Sequence, residues 1–115
     1  MNKNNADKVI VFAGTNEGRI LCEFLTGHHI TVTACVASEY GSMCLDGISG
    51  LTIKEGRLSE HEIGELISDY DYIVDATHPY ASVITENIKE AAGKQKKDYI
   101  RILRPASGYD NVFEC

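Results

Sequence analysis

Lys8-Val9-Ile10-Val11-Phe12-Ala13-Gly14-Thr15-Asn16-Glu17-Gly18-Arg19 is the stretch that decides the fold. Its first six residues form a short apolar run rich in β-branched side chains and bounded by a glycine, which reads as a buried strand. Gly14 to Gly18 make a turn. From Glu17 to Leu25 the apolar residues Ile20, Leu21, Phe24 and Leu25 fall at helical spacing, with Gly27 as the stop. Strand, tight turn and helix in that order open a parallel α/β sheet, because parallel neighbours need a crossover between them.

The pattern continues outward from there. Ile30 to Val36 is the second strand. Ala37 to Gly50 reads as a loop, with room for a helical turn near Ser42 to Leu45. Leu51 to Lys54 is a third strand. Ser59, with Glu62 three residues on, has the form of a capping box before a helix carrying Ile63, Leu66 and Ile67. Asp71 to Asp75 is the fourth strand. A helix from about Tyr80 to Ala92 follows, with Val83, Ile84, Ile88 and Ala91 on one face and Gly93 as its end. Asp98 to Leu103 is the fifth strand, closed by Arg104-Pro105. Right-handed crossovers then predict a Rossmann-like, doubly wound five-stranded parallel sheet of order 3-2-1-4-5, with helices on both faces. The expected organisation is a disordered tail over residues 1–7, one domain over 8–105, and a tail or the start of an interdomain linker over 106–115.

Bulk composition fits one globular domain. The chain has 115 residues, 43% apolar and 24% charged, enough for a single core. A net charge of −6 argues against nucleic acid as a partner, since phosphates demand a basic face. No apolar run approaches the roughly 18 residues that span a bilayer, and Met1 to Lys8 hold no apolar leader, so no membrane and a cytoplasmic location are expected. Cys22, Cys35, Cys44 and Cys115 form no C-x-x-C pair and have no histidine clustered near them; they read as reduced thiols, with no metal site.

In such a sheet, ligands bind beyond the carboxyl ends of the strands, at the point where the strand order reverses. Two loops flank that point: Gly14 to Arg19 after strand one, and Ala76 to Ala81 after strand four. The first is not a G-x-G-x-x-G fingerprint, yet its two glycines allow close backbone approach and the helix behind it favours an anion. Thr15 and Asn16 add donors and Arg19 a charge. In the second, Asp75-Ala76-Thr77-His78-Pro79-Tyr80-Ala81, Thr77 suits a helix cap and Pro79 a first turn. His78 is a candidate hydrogen-bond or proton donor, and Tyr80 either stacks on a flat ligand or covers the helix start. After strand two, Glu39 would favour a free ribose 2′-hydroxyl, and Ser38 would favour a 2′-phosphate. Arg57 and Arg104 are loop arginines able to grip carboxylates or phosphates; a solvated surface charge is the plainer reading of each. His28-His29 falls at the opposite end of the sheet and reads as a turn.

These segments together resemble the precorrin-6A and cobalt-precorrin-6A reductases of cobalamin synthesis. Gly14 to Arg19, Val36 to Gly41, Gly56-Arg57-Leu58, Val74 to Ala81 and Tyr99-Ile100-Arg101 with Arg104-Pro105 match in order, over nearly all of residues 8–105. The resemblance implies an NADPH-dependent reductase that delivers a hydride to a double bond of a carboxylate-rich tetrapyrrole. It places Gly14, Thr15, Glu17 and Gly18 at the nucleotide, Thr77, His78 and Tyr80 near the nicotinamide and macrocycle, and Arg57 and Arg104 at substrate carboxylates or cofactor phosphate; Asn16, Arg19 and Ser38 join Thr77 in the expected cofactor set on their own side-chain chemistry. Members of that family are about twice as long. The expectation is therefore an N-terminal half, inactive alone, whose missing C-terminal domain would leave an apolar face and room for homo-oligomers. A non-enzymatic nucleotide-binding module of the same fold is the alternative. An epimerase-like reading would need Tyr-x-x-x-Lys, and no tyrosine here has a lysine four residues on.

Overall fold

The structure, a computed structural model, describes residues 8–78 and 82–102. Their elements are β1 (Lys8–Ala13), α1 (Asn16–Gly27), β2 (Thr31–Val36), α2 (Glu39–Leu45), β3 (Leu51–Glu55), α3 (Glu60–Ile67), β4 (Tyr72–Ala76), α4 (Ser82–Lys94) and β5 (Asp98–Arg101). The five strands make one sheet of order β3-β2-β1-β4-β5, every pairing parallel. The strand order expected from the crossover rules is the order observed. The expected tails, over residues 1–7 and 106–115, lie outside the described residues.

The core forms two layers because β1 is central and its side chains alternate between faces. Val9, Val11 and Ala13 point to one face, where Cys22 of α1 and Leu45 of α2 cover them. Ile10 and Phe12 point to the other, against Ile63 and Ile67 of α3 and Ile88, Ala91 and Ala92 of α4. Ile10, Val11, Phe12, Ile63, Ile67 and Ile88 are all at most 1% exposed. Burying each such side chain contributes about 1.5–3 kcal/mol before chain entropy is subtracted.

Three local differences from the sequence reading have physical causes. In α1 the buried stripe is Gly18 and Cys22, while Ile20 and Phe24 are 51% and 58% exposed. The helix lies so close to the sheet that a Cβ on Gly18 would stand 3.1 Å from Ala76 Cβ, so a glycine takes the innermost place and turns the larger residues outward. Gly27 is the last residue of α1, as expected; His28 caps it and His29 takes the left-handed backbone at φ 63°. The stretch read as a loop with one turn holds a full helix, α2, whose start is capped by Ser38 accepting from Gly41 N–H. Finally, α4 runs through Gly93 to Lys94, and the left-handed residue beyond it is Lys96, φ 58°. The capping box at Ser59 and Glu62 is present as expected.

Candidate functional site

A cleft of about 490 Å³ opens beyond the carboxyl ends of β1, β2 and β4, on the face that α3 and α4 cover. Its size falls within the usual range for small-molecule sites. Gly14 marks the meeting of the two loops: a Cβ added there would lie 3.6 Å from Thr77 Cα and 3.7 Å from His78 N. The loops after β1 and β4 therefore touch at the reversal of strand order, where doubly wound sheets hold their ligands. The walls bring together Gly14, Thr77, His78 and Arg57 from the sequence-predicted set, joined by Val36, Ala37, Leu58, Val83, Ile84 and Asn87.

Other candidates serve the fold. Thr15 is buried; its hydroxyl donates to Ala76 O at 2.9 Å and accepts from Gly18 N–H at 3.3 Å. It thus caps α1 and ties that helix to β4. Arg19 extends along α1, where Nη1 meets Glu23 Oε2 at 2.7 Å and Nη2 lies 3.5 Å from Asn16 Oδ1. Its side chain lines a separate groove with Glu23, Thr26 and the 46–50 loop. Ser38 Oγ accepts from Gly41 N–H at 3.3 Å. Neither Asn16, Glu17, Gly18 nor Ser38 lines the cleft; Glu17 stays half-buried in the first turn of α1. Tyr80 and Arg104 lie outside the described residues.

Beneath the second loop sits a group that sequence reasoning passed over. Asp75 is fully buried at the end of β4. Its Oδ1 accepts from Thr77 N–H at 3.1 Å, from the Thr77 hydroxyl at 2.7 Å and from Arg101 Nη1 at 3.1 Å. Its Oδ2 accepts from the hydroxyls of Thr85 and Tyr99, both at 2.8 Å. Arg101 also donates to Thr77 O at 3.1 Å. Burial pushes the Asp75 carboxyl up, but the hydrogen bonds from Thr77, Thr85 and Tyr99 together outweigh it and leave it below its ordinary value. The Tyr99 hydroxyl is driven the other way, by burial and by the carboxylate it donates to. β4, α4 and β5 are thus knotted around one charge, which fixes the Thr77-His78 backbone at the cleft.

The pairing could be found in the sequence. Asp75 and Arg101 occupy strand positions, where a lone charge is costly to bury, and they turn out to be direct neighbours in register. Val83 and Ile84, read on one helix face with Ile88 and Ala91, both line the cleft; Ile84 also packs against the core, whereas Val83 is 75% exposed.

The polar content of the cleft decides what it can hold. Among the described residues that line it, Arg57 is the single arginine or lysine, and no aspartate or glutamate joins it. Cys35 also lines it, yet burial pushes that thiol up to about 12, so it stays protonated and is no nucleophile. An apolar-walled cleft with the Arg57 guanidinium in its lining and the start of α1 nearby suits a flat, anionic ligand of the dinucleotide kind. Among the described residues no cluster of His, Cys, Asp or Glu could hold a metal ion, and no helix is long and apolar enough to cross a membrane.

Comparison with known proteins gives the family and the fold. Residues 8–115 match the family model described as precorrin-6x reductase CbiJ/CobK. The chain is 35% identical over 107 residues to a cobalt-precorrin-6A reductase of Methanothermobacter thermautotrophicus, covering 90% of this chain and 35% of that protein. It is 31% identical over 104 residues to a precorrin-6A reductase of Mycobacterium tuberculosis, covering 85% of this chain and 40% of that one. The chain thus spans well under half the length of these relatives. Among solved structures, apo saccharopine dehydrogenase (L-Glu forming) from Saccharomyces cerevisiae superposes with a TM-score of 0.70 at 14% identity, over 84% of this chain and 21% of that one. At that identity the likeness speaks to the fold alone.

Proposed function

Since the chain belongs to the precorrin-6x reductase family, we propose that it is the nucleotide-binding part of an NADPH-dependent reductase acting on a tetrapyrrole double bond in cobalamin biosynthesis. The observation that carries this reading is the meeting of Gly14 with Thr77 and His78 at the mouth of a cleft whose one arginine or lysine, among the described residues, is Arg57.

Bound NADPH would supply the hydride. The chain's own residues would shape the site around it. Gly14 lets the backbone come close to the ligand, as a residue with a side chain would not. The apolar wall of Leu58, Val83 and Ile84 excludes water from a flat ring, and Arg57 offers an anion site. His78, exposed at the rim, would donate a hydrogen bond, or the proton that completes addition across a carbon–carbon double bond. The buried Asp75–Arg101 pair keeps Thr77 and His78 in place. Precorrin-6A or its cobalt form is the substrate class named by the relatives, and its carboxylates would meet residues of the longer proteins as well as this chain.

The test is calorimetric titration of NADPH into the chain, alone and with the remainder of a relative supplied as a second polypeptide. Saturable binding in the first case, with turnover of the tetrapyrrole only in the second, is the expected result. Absence of binding in both would end the reading. Binding without turnover even in the complemented protein would make the chain a nucleotide-binding module without catalysis.

A further inference from the structure

We propose that Arg57 is the residue that selects a 2′-phosphorylated adenosine, so that the preference for NADPH over NADH is set by the loop after β3. This inference rests on the dinucleotide reading above. It begins with position. Gly56 N–H donates to Val36 O at 2.9 Å, which clamps the β3 loop to the carboxyl end of β2; Gly56 itself has φ +131°, a backbone that side chains resist. In doubly wound folds the end of β2 is where the adenosine ribose lies, and a nearby arginine there accommodates a 2′-phosphate. The hydrogen bond delivers Arg57 to that place although it is remote from β2 in sequence.

Charge points the same way. The whole chain carries −6, yet the described residues that line the cleft include one arginine and no carboxylate. The other two arginines described are committed: Arg19 to Glu23 at 2.7 Å and Arg101 to Asp75 at 3.1 Å. Arg57 is exposed and has no ion pair among the described residues. A planar guanidinium in that condition is suited to fork onto a phosphate. Across the cleft from the β3 loop, Val83 and Ile84 of α4 form an apolar wall, and the 75% exposure of Val83 is accounted for if an adenine ring covers it. Ser38, the residue that sequence alone favours for a 2′-phosphate, is turned to its own helix by the bond from Gly41 N–H. Neither it nor Glu39 lines the cleft.

The experiment compares adenosine 2′,5′-bisphosphate with adenosine 5′-monophosphate by calorimetry, on the chain and on its Arg57→Met and Arg57→Lys variants. Wild type should bind the bisphosphate roughly 10- to 100-fold more tightly, the range of one hydrogen-bonded charge pair. Arg57→Met should bind both nucleotides with the weaker affinity, and Arg57→Lys should keep part of the preference. Equal binding of the two nucleotides by wild type, or an undiminished preference in Arg57→Met, overturns the assignment and leaves the dinucleotide reading standing. Failure of wild type to bind either nucleotide overturns both.

Discussion

Replacing Asp75 by alanine removes the acceptor on which four residues converge. The Arg101 side chain, 20% exposed, loses its counter-charge, and Thr77 N–H, Thr85 and Tyr99 lose their acceptor. Breaking a buried ion pair from one side costs about 3–5 kcal/mol, a large part of the 5–15 kcal/mol that holds an ordinary domain together. Asp75→Asn is gentler. Its oxygen can keep the bonds made at Oδ1, and the hydroxyls of Thr85 and Tyr99 can turn to accept from its amide. What remains lost is the charge, worth about 1.5–3 kcal/mol for a charged hydrogen bond. Urea unfolding followed by circular dichroism should therefore rank wild type above Asp75→Asn above Asp75→Ala, and the alanine variant should melt on the order of 10–20 °C lower. The pH dependence has a definite sign. The folded carboxyl lies below its ordinary value, so its contribution is complete above about pH 4 and fades as pH falls further through the folded value. The gap between wild type and Asp75→Asn should close in that acid range. A cycle with Arg101→Met should show coupling of about 1–2 kcal/mol. An alanine variant within about 1 kcal/mol of wild type at pH 7 would refute the idea that this carboxylate organises the loop.

Gly18→Ala should destabilise by roughly 1 kcal/mol in the same unfolding assay. The gain in helix propensity of about 1 kcal/mol is outweighed by contacts of 3.1 Å and 3.3 Å with Ala76 and Ala13, which have no rotamer to change. Burial pushes the thiols of Cys22 and Cys35 up to about 12, so mass spectrometry after treatment with a thiol reagent at pH 8 should find both unlabelled in the native protein and labelled once it is unfolded. His78→Ala, made in a full-length protein carrying this sequence, should lower kcat on the order of 100-fold, as loss of a proton donor does, with NADPH affinity nearly unchanged. Wild-type turnover in that variant would remove His78 from the chemistry.

The legible part of this molecule is the part set by short-range rules. A short, β-branched apolar run bounded by Gly14 reads as a buried strand before a turn, and Ser59 with Glu62 announces the start of α3 by local hydrogen bonding. Strand order followed from handedness, and it brought Gly14 against Thr77 and His78 as the topology required. What stayed hidden depends on packing distance. The rotation of α1, which exposes Phe24 and buries Gly18, arises from its close approach to Ala13 and Ala76. α2 offers few apolar residues beyond Met43 and Leu45 to announce a helix, and only Leu45 is buried. The commitment of Thr15 to Ala76 O and of Arg19 to Glu23 cannot be seen from residue type, since the same side chains would look equally suited to a ligand. Asp75 looked like the end of a strand because its partners Thr85, Tyr99 and Arg101 come from two later elements.

Amide chemical-shift mapping during an NADPH titration tests the central claim most directly. Shifts should concentrate at Gly14, Ala37, Gly56, Arg57, Thr77, His78 and Asn87, the residues around the cleft. The groove lined by Arg19, Glu23 and the 46–50 loop should stay unchanged. Shifts confined to that groove, or none at all at saturating NADPH, would contradict the assignment of the cleft as the nucleotide site.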